Sequence, residues 1–130
     1  CLDCLAKLAG TRYDGVRPFA DRNREDGIIW FLESCDLTVM AMRRAVWELK
    51  HAGLFGHVKG FLIGRPLHFG EEIMGLDQYR AVTDLLAEYG VPVIMDADFG
   101  HLPPAMPLVS GAVGEVTVKG NEIGIRYEMK

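Results

Sequence analysis

The sequence predicts an α/β domain, with a parallel three-stranded core followed by an antiparallel C-terminal hairpin. Three observations carry this prediction. Apolar runs at residues 28–32, 58–63 and 91–95 have the length of buried strands. Between them, apolar residues recur at three- and four-residue steps, the pattern of amphipathic helices. After Pro107 the period becomes two, on either side of Lys119-Gly120-Asn121-Glu122, which is a hairpin signal. The order β-α-β-α-β implies parallel strands joined by right-handed crossovers.

Near the start, Leu2, Leu5 and Leu8 stand at helical spacing and Gly10 ends the run, so a short helix is expected. Cys1 and Cys4 make a C-x-x-C there. No second Cys/His pair at zinc spacing accompanies them, and they read as packing residues of a first helical turn. Residues 11–26 set Arg12, Arg17, Arg22 and Arg24 against Asp14, Asp21, Glu25 and Asp26, with Gly15 and Pro18 between. They show no clear period and read as a surface loop with a solvated charged face. Ile28 to Leu32 form the first buried strand. Ser34 or Asp36 is placed to cap the next helix, whose inner stripe is Val39, Met42, Val46 and Leu49 and which Gly53 stops. Trp47 lies beside that stripe and reads as packing.

The second strand ends in Gly64-Arg65-Pro66, and residues 67–75, with His68, Glu71 and Glu72, read as a loop. Tyr79, Val82, Leu85, Leu86 and Tyr89 mark the inner side of another helix, closed by Gly90. Residues 91–95 supply the third strand. Pro103, Pro104 and Pro107 keep residues 102–107 out of any regular ladder. Residues 113–118 and 123–127 then alternate as two hairpin strands.

A length of 130 residues suits one domain with its own core. Net charge is -4 and the pI is near 5.5, so no basic footprint favours nucleic acid or an anionic membrane surface. No apolar run approaches the ~20 residues that cross a bilayer, and no signal-peptide pattern is present. Three cysteines, an odd number, point away from a disulfide framework and toward a reducing, cytoplasmic compartment. The chain opens on Cys1 with helix-like residues at once, and reads as a piece of a longer polypeptide.

In open α/β sheets, ligands gather at the carboxyl ends of strands. Two such ends carry titratable groups here: Glu33 after the first strand, and Asp96-Ala97-Asp98-Phe99-Gly100-His101 after the third. If both strands share a sheet, Glu33 and His101 face each other across a cleft. An acid near a helix start is often a dipole partner, but Ser34 and Asp36 are better caps, which leaves Glu33 without a structural task. Gly100 permits an unusual backbone angle and Pro103-Pro104 stiffens the far side, so His101 sits where a general base would. His51, His57 and His68 show no ligand spacing, so neither a metal nor a cofactor is expected.

A carboxylate with a histidine matches the orienting and base members of a hydrolytic triad. The nucleophile is missing. Neither Ser34 nor Ser110 lies in a G-x-S-x-G elbow, and Cys35 has no activating neighbourhood. An upstream serine is therefore expected.

These residues carry a resemblance. Trp30-Phe31-Leu32-Glu33, Ala52-Gly53-Leu54-Phe55, Gly60 to Pro66, Val91-Pro92-Val93-Ile94 with Asp98-Phe99-Gly100-His101, and Pro107 to Ala112 occur in this order. In this the sequence resembles the C-terminal domain of the serine LD-carboxypeptidases, the muramoyl-tetrapeptide carboxypeptidases, and their microcin C immunity relatives. The resemblance implies a swivelling β/β/α domain over residues 26–130, with residues 1–25 as interdomain helix and linker. It also implies a Ser-His-Glu triad, with Glu33 the acid, His101 the base and the serine in an N-terminal domain absent from this chain. This chain alone is then expected to be inactive.

The implied partners are that N-terminal domain, a muropeptide or peptide–nucleotide substrate, and a second copy in a family-type homodimer. Arg65 is read as a bidentate partner for a substrate carboxylate, with a salt bridge to Glu71 or Glu72 as the alternative. The leading expectation is cleavage of an L–D peptide bond in muropeptide recycling. A microcin-type hydrolase of aminoacyl–nucleotide conjugates is the alternative within the family. A non-catalytic ligand-binding domain is the alternative of another class, favoured if Glu33 and His101 lie out of reach of each other.

Overall fold

A computed structural model describes residues 1–128, so the last two residues of the expected 26–130 domain lie outside the described residues. Strands β1 (Ile28–Leu32), β2 (Val58–Gly64) and β5 (Val93–Ala97) form one parallel sheet in the order β1-β2-β5. Helix α3 (Val39–His51) connects the first pair, and α4 (Gln78–Leu86) with a short 3-10 turn connects the second. The expected α/β architecture with an antiparallel hairpin is the one observed.

The sheet is covered on both faces, as parallel strands require. On one side Leu32, Phe61 and Ile63 pack with Met42, Val46 and Leu49 of α3 and Val82 and Leu86 of α4. Helix α1 (Leu2–Leu8) adds Leu2 and Ala6 to that core. The rings of Trp30, Phe61 and Tyr89 meet Phe55 edge-on, the arrangement aromatic quadrupoles favour. On the other side Leu62, Ala97 and Phe99 pack against Met106, Leu108 and the inward residues of the hairpin. That hairpin pairs β6 (Val113–Lys119) with β7 (Glu122–Glu128) through a Gly120-Asn121 turn, as the alternation indicates.

Several local expectations are corrected. Residues 11–26 hold a helix, α2 (Val16–Arg22). Pro18 is its third residue, where the missing N–H needs no intrahelical acceptor. Val16 and the buried Ala20 stand four apart on its inner side. Helix α3 is capped by Thr38, whose hydroxyl accepts from the Ala41 amide at 3.3 Å, and not by Ser34 or Asp36. Cys1 and Cys4 are exposed, because Leu2 and Ala6 take the inward positions of α1. Trp47 is also exposed and meets the ring of His51, one turn later, at a tilt.

The loop at 67–75 includes a two-residue strand, β3 (Glu72–Ile73), which pairs with β4 (Leu76–Asp77) through a Met74-Gly75 turn. Both turn residues have positive φ. Helix α4 starts with Asp77 as its cap, which turns Gln78 inward and leaves Tyr79 exposed.

Candidate functional site

Strands β1 and β5 lie two strand spacings apart, about 10 Å, with the end of β2 between them. Glu33 follows β1, and the loop after β5 crosses the end of β2 at Gly64 and carries His101 to Glu33. The Nδ1 atom of His101 lies 2.7 Å from Oε1 of Glu33, and the His101 amide donates to the same oxygen at 3.3 Å. The Glu33 side chain is 7% exposed, whereas that of His101 is 47% exposed. A buried carboxylate thus holds one edge of a solvent-accessible imidazole. Among the described residues, no protein hydrogen bond engages Nε2. A carboxylate on Nδ1 favours the tautomer protonated there, leaving the Nε2 lone pair to accept a proton.

Two glycines make this approach sterically feasible. A Cβ on Gly100, whose φ is +109°, would fall 2.1 Å from Cγ of Glu33. A Cβ on Gly64 would fall 2.5 Å from the carbonyl oxygen of Phe99. The loop therefore lies directly on the end of β2, with Phe99 tucked into the second core.

Strand β5 is displaced by two residues from the expected 91–95, to 93–97, and bulges before the loop, since Leu62 pairs with Ile94 but Gly64 pairs with Ala97. The extra residue falls at Met95-Asp96, and Asp96 adopts φ +57°. Such a bulge bends a strand and re-aims the residues beyond it. The hydroxyl of Tyr79 donates to one Asp96 oxygen at 2.6 Å and the amide of buried Gln78 donates to the other at 3.0 Å. The neutral phenol is the form that donates to this carboxylate, which pushes the Tyr79 pKa above its usual value.

The start of the chain braces the other partner. The Leu2 amide donates to the Glu33 carbonyl at 2.7 Å, and the Asp3 carboxylate accepts from the amides of Cys35 and Asp36, each at 3.0 Å. Burial alone would raise the Asp3 pKa, but these amides outweigh it and hold the group below the usual carboxylate range. The contribution is therefore complete above about pH 4 and is lost as pH falls through the lower folded-state value. Asp3→Ala is expected to destabilise the domain by about 1 kcal/mol at pH 7. Urea unfolding at pH 7 and pH 3 would check this, with the difference from wild type shrinking at the lower pH.

Arg65 pairs with Asp98, Nη2 to Oδ1 at 3.0 Å, and not with Glu71 or Glu72. Glu71 instead accepts from the Val39 amide at the start of α3. Ser34 is buried and Ser110 is exposed; among the described residues the Ser34 hydroxyl has no partner and neither serine is hydrogen-bonded to His101. Partial burial and the neighbouring Asp36, Asp3 and Glu33 carboxylates raise the Cys35 pKa, so its thiol stays protonated near neutrality. His57 meets Asp21 at 3.2 Å, and His51 and His68 lie elsewhere on the surface. Among the described residues no three His, Cys, Asp or Glu side chains converge as metal ligands. No helix there is long and apolar enough to cross a membrane.

The braces themselves went unread in the sequence. Asp3 and Asp98 act across more than thirty positions, and only the acid after Leu2 and the acid before Phe99 hint at them.

A family model for the LD-carboxypeptidase C-terminal domain matches residues 1–116. The chain belongs to that family. This LD-carboxypeptidase C-terminal domain also superposes on the crystal structure of muramoyltetrapeptide carboxypeptidase from Oxalobacter formigenes, with a TM-score of 0.75 at 22% sequence identity. The match covers 97% of this chain and 41% of that one, so the domain spans about two-fifths of its structural relative. Comparison with curated protein sequences gave no match.

Proposed function

We propose that this LD-carboxypeptidase C-terminal domain supplies the acid, Glu33, and the base, His101, of a Ser-His-Glu triad. In this reading the serine belongs to an N-terminal domain of the same protein, and the enzyme removes the terminal D-amino acid of an L–D bond in a muropeptide. The observation that carries the reading is the 2.7 Å contact between a buried carboxylate and the Nδ1 edge of an exposed imidazole. A pair out of reach would have favoured a binding domain without chemistry. The substrate class is proposed by analogy with the activity named for the structural relative.

The chemistry is acyl transfer. His101 Nε2 takes the proton of the serine hydroxyl as its oxygen bonds to the peptide carbonyl carbon. Glu33 keeps Nδ1–H in place and stabilises the imidazolium. Nε2 then gives the proton to the departing amine, the C–N bond breaks, and an acyl-enzyme remains. Water attacks the ester with His101 again as base. Oxyanion donors come from the nucleophile's own turn. The domain alone is inactive, lacking that serine. A cytoplasmic location agrees with its three free thiols.

The test uses the intact protein with a muramoyl tetrapeptide ending in an L–D bond, following free D-amino acid by mass spectrometry. Release from this substrate, and none from its all-L counterpart, is expected. Cleavage only of an aminoacyl–nucleotide conjugate would replace the muropeptide reading with the immunity-type one.

A further inference from the structure

We propose that Arg65 is a positioning residue that clamps the loop carrying His101, rather than a partner for substrate. This rests on the acid–base reading of Glu33 and His101 given above. Three acceptors converge on one guanidinium nitrogen. Nη2 lies 3.0 Å from the Asp98 carboxylate, 2.8 Å from the Pro104 carbonyl and 3.3 Å from the Leu102 carbonyl. The contacts bracket His101, three residues before it and one and three residues after it.

The loop needs an external donor of this kind. Pro103 and Pro104 have no N–H, so that stretch of the loop offers no amide donors of its own. Its base is closed by the Met106 amide donating to the Asp98 carbonyl at 2.6 Å, beside a tight turn in which the Phe99 amide donates to the Ala97 carbonyl at 2.8 Å. At the tip Glu33 holds His101 through its amide and its ring, which leaves the Pro103-Pro104 stretch to Arg65. Arg65 reaches it from the end of β2. Its side chain is only 21% exposed, and its Nε is buried without a partner among the described residues.

Nη2 is thus committed to the loop, while the buried Nε makes no hydrogen bond among the described residues. Turning Nη2 toward a substrate carboxylate would release Asp98 and two carbonyls together. Lysine, with a compact ammonium on a flexible stem, does not reproduce a planar group wedged between strand end and loop.

The consequence is readable in the domain without substrate. The Nδ1–H proton of His101 is followed by NMR in wild type, R65M, D98N and E33Q, together with hydrogen exchange of the His101 amide. Wild type is expected to show a protected Nδ1–H resonance. In R65M and in D98N that resonance is expected to broaden or vanish, and the His101 amide to exchange about tenfold faster. Amides in β2 and α3 should keep their protection, which separates loop release from general destabilisation. Asp98 is 55% exposed, so D98N decides the matter if R65M fails to fold.

Wild-type behaviour of His101 in a folded R65M or D98N would overturn the clamp and return Arg65 to the role of substrate carboxylate partner. E33Q is the separate control. If it leaves the Nδ1–H resonance unchanged, the acid–base pairing itself fails, whatever Arg65 does.

Discussion

Gly100→Ala is expected to part Glu33 from His101 and to destabilise the domain by about 3 kcal/mol or more. Two costs combine. A φ of +109° lies in a region that side chains other than glycine scarcely enter, which costs roughly 1–3 kcal/mol. The added methyl would also stand 2.1 Å from Cγ and 2.6 Å from Cδ of Glu33. Overpacking of that kind costs a further 1–3 kcal/mol, because the carboxylate is buried and has little room to yield.

Gly111 provides the comparison. Its φ is +80° and a methyl there would meet nothing within 4 Å, so Gly111→Ala faces backbone strain alone, about 1 kcal/mol. Urea unfolding of the two variants would give the difference. Equal losses would mean that Glu33 moves aside freely and that the carboxylate–imidazole contact is not held by packing.

The site was legible in outline because it obeys a rule of the architecture. Glu33 and His101 each follow a strand of a parallel sheet, and the period of the chain places those strands in one sheet. The sequence could not state that β2 runs between them, nor that Gly64 must lack a side chain for Phe99 to cross it. Helix α2 was hidden by Pro18, which reads as a breaker unless its place in the first turn is known.

The braces were hidden for a different reason. Asp3 on the Cys35 and Asp36 amides, and Arg65 on Asp98, are pairings of groups far apart in the chain. Local spacing made Glu71 or Glu72 the natural partner of Arg65, and tertiary structure chose otherwise. The left-handed Asp96 is similar: its conformation is set by a bulge and by Gln78 and Tyr79, not by its neighbours in sequence.

Glu33→Gln in the intact protein is expected to lower kcat by about 10⁴-fold, the scale seen when the acid of a hydrolytic triad becomes an amide. The amide keeps the shape of the side chain but carries no charge to stabilise the imidazolium. Its NH2 group also favours the tautomer in which Nδ1 accepts, which places the proton on Nε2 where the serine hydroxyl should deliver its own. KM is expected to change little, since Glu33 is buried behind the imidazole. The decisive measurement is therefore the rate of D-amino acid release from the L–D tetrapeptide by wild-type and E33Q intact protein. A fall of three to four orders of magnitude at nearly constant KM is predicted on the triad scale. A rate within tenfold of wild type would contradict the assignment of Glu33 and His101 as the acid and base of the enzyme.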